Sequence, residues 1–182
     1  MHPDLELLSA EFDAAEAEVH SLAESADDEE WSAPARNGGW SMDQCIAHLT
    51  LTNNRYVPIL AEAADAAPLM DDARYRQRMR RDLVGWLTSG MMEPPVRLRI
   101  PTRASFNPST PASKAVTVAG FDASQAAIRQ LLRTVSGHDI TRVRIASPFN
   151  SKVRYSVFSA LHILVAHERR HIWQATTGRR EK

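Results

Sequence analysis

The sequence predicts an all-α protein, an antiparallel four-helix bundle with a long irregular middle segment and one short hairpin. Three observations carry this. Four stretches repeat apolar residues at the helical period, cap and turn residues stand at their ends, and prolines crowd the middle of the chain. At 182 residues with 43% hydrophobic content the chain is long enough for one well-buried core and short for two, so residues 1–182 are expected to form a single domain.

The first helix is expected from about Asp4 to Ala26, with Leu7, Leu8, Phe12, Ala15, Val19 and Leu22 as its apolar stripe and acids between them. Asn37-Gly38-Gly39 reads as a turn. Ser41 then caps a second helix, with Gln44 as capping-box partner and Asp43 well placed against the positive helix end. Ile46, Leu49, Asn53, Tyr56 and Leu60 carry this helix to about Ala66, and Pro58 is expected to kink or shorten it.

The stretch from about Asp71 to Leu87 reads as an extra basic helix with Arg74, Arg76, Arg78, Arg80 and Arg81 on a solvated face. Pro94-Pro95, Pro101, Pro108 and Pro111 then forbid continuous regular structure, and a loop of this length is either mobile or laid over a site. A third helix is expected after Gly120-Phe121, capped by Asp122, carrying Ala126, Ile128, Leu131, Leu132 and Val135 and stopping at Gly137. Arg142-Val143-Arg144-Ile145 and Lys152-Val153-Arg154-Tyr155 alternate around Pro148-Phe149-Asn150-Ser151, the pattern of a hairpin. The last helix runs from about Val157 to Thr176 and ends near Gly178.

The chemistry concentrates in His167-Glu168-Arg169-Arg170-His171. A helix advances about 100° per residue, so imidazoles at i and i+4 share a face and can share one divalent ion. The segment matches H-E-x-x-H, in which the glutamate acts as general base of a zinc protease. That chemistry needs a further ligand downstream, where Glu181 is the sole carboxylate, and the two intervening arginines are expected to face solvent. His48, about two turns inside the second helix, is the better third ligand because it can reach an opposed helix.

The other histidines are expected elsewhere. His162 lies about 140° and 180° around the helix from His167 and His171. His2 is near the terminus, His20 is on an acid-rich helix and His138 follows a helix-ending glycine, all read as surface or capping residues. Cys45, the single cysteine, could be a fourth ligand three residues before His48, but a small core residue is the simpler reading. It cannot form an internal disulfide, which fits a reducing compartment.

Trp40-Ser41 followed by Ala47-His48-Leu49, together with Ala166-His167-Glu168-Arg169-Arg170-His171-Ile172-Trp173-Gln174, resembles the signature of the DinB-like superfamily of bacterial four-helix bundles, also called YfiT-like metalloenzymes. The resemblance implies a metal triad of His48, His167 and His171. Three imidazoles leave a coordination position open, and zinc or nickel there would acidify a water or hold a thiol deprotonated. Members of that superfamily include transferases that use bacillithiol, mycothiol or related low-molecular-weight thiols. The resemblance therefore implies a metal-dependent S-transferase or related detoxification enzyme acting on a small molecule. A metal-dependent hydrolase and a non-catalytic small-molecule binding bundle remain as alternatives. Catalytic residues beyond the ligands stay unassigned. Glu168 and Gln174 could orient ligands, although a surface carboxylate and a helix-end amide are the simpler readings, and Arg55 could meet a substrate carboxylate.

Twenty-two basic residues balance twenty-two acidic ones, which makes no electrostatic case for nucleic acid or an anionic membrane as partner. The N-terminus lacks a signal-peptide pattern and no run of about eighteen apolar residues occurs, so a soluble cytoplasmic protein is expected. A homodimer is compatible with all of this.

Overall fold

The computed structural model describes residues 1–36, 38–95, 104–108 and 112–178. Its helices are α1 (Pro3–Ser25), α2 (Asp28–Ser32), α3 (Met42–Asp65), α4 (Asp72–Tyr75), α5 (Leu83–Met92), α6 (Lys114–Thr134) and α7 (Val157–Thr177), with strands β1 (Arg144–Ala146) and β2 (Arg154–Ser156). The four long helices form the bundle: α1 and α3 each pack against both α6 and α7. The fold is all-α apart from the small antiparallel β1–β2 hairpin, which pairs Ile145 with Tyr155. Among the described residues no helix is long and apolar enough to cross a membrane.

Side-chain pairs fix the helix directions. Arg129 meets Asp13 and Glu16 while Asp122 meets His20, so α1 and α6 are antiparallel. His48 faces His171 and Asn53 faces Glu168, so α3 and α7 are antiparallel too. Asp43 bonds Thr117 and Asn53 bonds Ser124, so α3 and α6 run parallel. Two consecutive parallel helices require the chain to return along the bundle between Asp65 and Lys114. This is the physical reason for the long middle segment.

The core consists of two apolar clusters. One gathers Leu5, Leu8 and Phe12 with Tyr56, Leu60, Ile128, Leu132, Leu161 and Leu164; the other gathers Ala15, Val19, Leu22, Ile46, Leu49, Phe121 and Ile172. On three helices the boundary between them is polar and buried: Thr52 and Asn53 on α3, Ser124 and Gln125 on α6, His167 and Glu168 on α7.

Most elements lie where their residues place them. The Ser41–Gln44 capping box forms in both directions, Gln44 N donating to Ser41 Oγ at 3.2 Å and Ser41 N to Gln44 Oε1 at 3.1 Å. Pro58 is exposed and does not shorten α3, which runs on to Asp65. The third long helix starts well before the expected point. Ser113 caps it, Asp122 lies inside it, and Thr117 and Phe121 are buried, so Gly120 is an interior residue and not a boundary. Leu7 and Ala126 turn outward from the expected stripes. The expected basic helix is broken, with α4 and α5 at its ends and Arg78, Arg80 and Arg81 on the segment between them; Arg76, Arg78, Arg80 and Arg81 are exposed as expected, whereas Arg74 is half-buried and pairs with Asp139 at 2.7 Å.

The apolar helix α5 lies on α7. The approach depends on Gly85, where an added Cβ would stand 2.1 Å from Ser159 Cβ. Gly85→Ala is expected to push α5 off α7 and to lower the unfolding free energy by about 1–3 kcal/mol in a urea titration.

Candidate metal centre

The capping box sets the start of α3, and from there the helical repeat turns Cys45, Ile46, His48 and Leu49 inward. Opposite, α7 is enclosed by α1, α3 and α5, and it buries His167, Glu168, Arg170 and His171 within five positions. The structure brings together all three histidines singled out in the sequence. Their ligand nitrogens lie within 4.8 Å of one another and all three residues are buried. Ring centroids are 5.0 Å apart for His48 and His167, and 4.5 Å for each of the other two pairs.

The protonation pattern follows from one hydrogen bond. His48 Nδ1 lies 2.8 Å from the carbonyl oxygen of Phe106. A carbonyl only accepts, so Nδ1 carries the proton and donates, which leaves Nε2 with its lone pair. That lone pair faces His167 Nε2 at 3.2 Å. Two imidazole nitrogens bound to one tetrahedral ion at about 2.0–2.1 Å would stand roughly 3.3–3.4 Å apart, so the observed spacing fits a shared ion. Burial, first of all, lowers the pKa of each ring below 6.5, and for His167 and His171 the neighbouring imidazoles and the Arg170 charge add to this. The rings are thus neutral near pH 7, the form in which imidazole ligates a metal.

Aromatic rings wall the group. Trp40 stacks on His171 at 5.8 Å and tilts against His48 at 4.9 Å, while Phe149 lies 5.7 Å from His167 and 4.3 Å from Phe106. Phe106 brings the described part of the proline-rich segment onto the site. Residues 96–103 and 109–111, which include Pro101 and Pro111, lie outside the described residues, as does Glu181. No spacing in the sequence connects Phe106 or Phe149 to the histidines. Their contribution comes from loops that close over the bundle.

Two expectations about the closing helix are overturned. Glu168 is not a surface carboxylate: it is fully buried, and its Oε1 accepts hydrogen bonds from Asn53 Nδ2 and Gln125 Nε2, both at 2.8 Å. Burial pushes its pKa up to about 8. Arg170 does not face solvent either. The overlying α5 covers it, and Nη1 donates to the Met91 carbonyl at 3.4 Å. Arg169 is half-buried between Glu93 and Glu11. Gln174 is half-buried, and its amide works against the downward shift of His171.

The remaining candidates fall outside the group. His162 packs edge-on against Phe158 at 4.8 Å, and His20 bonds Asp122 on the exposed α1–α6 face. His138 is half-buried just after the C-terminal end of α6. Of the two readings for His2, surface or cap, the structure shows the cap: it is buried, its Nδ1 accepts from Asp4 N at 3.2 Å and its backbone N donates to Ser136 Oγ at 2.8 Å. Cys45 sits in the apolar cluster beside Ile46 and Leu49, where burial pushes its thiol up to about 12. Arg55 is exposed, on the side of α3 away from the buried face.

A family model described as the DinB superfamily matches residues 11–175, a span that contains all three histidines. The chain belongs to the DinB superfamily. No curated protein and no solved structure matches it. In this DinB-superfamily chain the buried histidine group can hold a divalent metal ion.

The same burial sets a pH dependence in the metal-free protein. The triad imidazoles are depressed below 6.5, so their contribution to stability is lost as pH falls below 6.5, where an unfolded chain takes up protons that the folded triad refuses. Glu168 works in the opposite sense. Raised from 4.5 to about 8, its contribution is full below 4.5 and is lost as pH rises through about 8. Glu168→Gln keeps the shape and cannot titrate. In urea unfolding, the stability of wild type minus variant is expected to decrease as pH rises from 4.5 to about 8; a flat difference would show that the carboxylate keeps its ordinary value.

Proposed function

We propose that this DinB-superfamily protein is a metal-dependent S-transferase, which joins an electrophilic small molecule to the sulfur of a low-molecular-weight thiol in a detoxification reaction. His48, His167 and His171 would hold the ion through neutral nitrogens. That donor set suits a borderline metal such as zinc or nickel better than magnesium or calcium. Such an ion supplies Lewis acidity, which lowers the proton affinity of a thiol brought to the site.

One observation favours a thiol over water as nucleophile. Glu168, which a hydrolytic reading of H-E-x-x-H needs as general base, has its carboxylate buried between Asn53 and Gln125. Water is a far weaker acid than a thiol, whose unperturbed pKa is about 8.5, so the thiol reaction needs no such base. The chain's own groups then have defined tasks. The Phe106 carbonyl holds His48 in one tautomer, Trp40 and Phe149 keep water from the imidazoles, and Arg170 adds a positive charge beside His167 and His171. The reading places the protein in the cytoplasm, where small thiols are kept reduced.

Metal analysis of protein purified without a histidine tag is expected to find about one ion per chain in the wild type and almost none in His167→Ala. Equal metal in both would overturn the ligand set. With the wild type loaded with zinc or nickel, loss of an alkylating electrophile is expected only when a small thiol is added. Metal-dependent hydrolysis without thiol would establish the hydrolase instead, and tight ligand binding without turnover would establish a binding bundle.

A further inference from the structure

A second concavity lies on the face of α7 that carries His162, and none of the triad histidines lines it. It is a cleft of about 620 Å³ bounded by α1, the segment between α4 and α5, α5 itself and α7. That size is typical of small-molecule sites. Its floor is apolar and buried, formed by Leu8, Met79 and Phe158. Its rim holds three large apolar side chains in water, Leu7 at 57% exposure, Leu83 at 77% and Trp86 at 57%. Single exposed apolar residues are ordinary; three around one hollow form a patch that favours an apolar occupant.

The charge around the cleft is unbalanced. Arg78, Arg80 and Arg81 line it against only Asp4 and Glu11. Asp4 is already taken, by Arg78 at 2.8 Å and by the backbone N of Met79 at 2.6 Å, and Glu11 is taken by Arg169 at 3.0 Å. Arg81 donates to the neutral hydroxyl of Ser89, and Arg80 has no ion pair among the described residues. Two guanidinium charges therefore face the cleft without a carboxylate. On its floor the His162 ring nitrogens make no hydrogen bond among the described residues. Burial first, and the Arg81 charge after it, lower that ring to about 4, so it stays neutral.

We propose that this cleft binds a small monocarboxylate with an apolar body, the body lying between Leu7, Leu83 and Trp86 and the carboxylate meeting Arg80 and Arg81. Guanidinium suits this task because its paired N–H groups match the two carboxylate oxygens. A second copy of the chain suits the face less well: a two-fold contact would set the arginine row against itself. The proposal is independent of the histidine site.

Calorimetric titration of the full chain with octanoate, below its micelle-forming concentration, is the test, with octanol as uncharged control and Trp86 fluorescence as local reporter. Saturable one-to-one octanoate binding is expected, with octanol weaker by about tenfold or more. Arg80→Ala with Arg81→Ala is expected to remove that preference and leave octanol binding unchanged, and Arg80→Glu alone is expected to weaken octanoate only. His167→Ala is expected to change neither. Absence of saturable binding, equal affinity for acid and alcohol, or loss of octanoate binding in His167→Ala would overturn the proposal. A dimer in sedimentation that Leu83→Asp dissociates would also overturn it, since a second copy would then cover the cleft.

Discussion

The rest of the molecule depends on a polar layer that crosses the bundle between two apolar clusters. Burying polar groups is costly unless each finds a partner, and cross-helix bonds offset part of that cost, while Thr52 Oγ1, Asn53 Oδ1, Gln125 Oε1 and Glu168 Oε2 are buried without a hydrogen-bond partner among the described residues. Glu168 of α7 reaches Asn53 on α3 and Gln125 on α6, and Asn53 also donates to Ser124 at 3.1 Å. These bonds join three of the four bundle helices at one level, which fixes the rotation and height of α7 relative to α3. His48, His167 and His171 occupy one side of the same layer, so the bonds to Glu168 Oε1 also hold the imidazoles in register.

Bundle connectivity explains how such a layer comes to be enclosed. Because α3 and α6 run parallel, the connecting chain must travel back along the bundle, and it deposits two things on the way. The first is α5, which packs on α7 through Gly85 and covers Arg170. The second is Phe106, whose carbonyl orients His48. A bundle with short joins only would leave α7 open on that side and His48 without its carbonyl partner. The same return path creates the cleft beside His162, since the segment before α5 and the exposed face of α5 meet α1 there.

Much of the fold and site was legible in the residues, for local reasons. The capping box at Ser41 and Gln44 involves groups three positions apart, so its signal is contained in the sequence, and the same holds for the i and i+4 spacing of His167 and His171. The hairpin at Arg144–Ala146 and Arg154–Ser156 follows from alternation around a turn. The start of α6 is hidden in the sequence because Gly120-Phe121-Asp122 imitates a helix boundary, while the actual cap, Ser113, stands in a proline-rich stretch with weak periodicity. The burial of Glu168 and Arg170 is not legible in the sequence, because polar residues on an amphipathic helix normally face water, a rule that fails when neighbours enclose the helix on several sides.

What the sequence determined by itself was therefore periodic or local: the four long helices, the capping box of the second and the pair of imidazoles one turn apart. The sequence also offered His48 as third ligand, but only the tertiary structure decided that its Nε2 lone pair is directed at His167, that Glu168 serves the bundle axis and not the metal group, and that Phe106 and Phe149 wall the site. These depend on which helix faces which across the bundle. Such distances are set by packing between residues far apart in the chain, where no spacing rule operates.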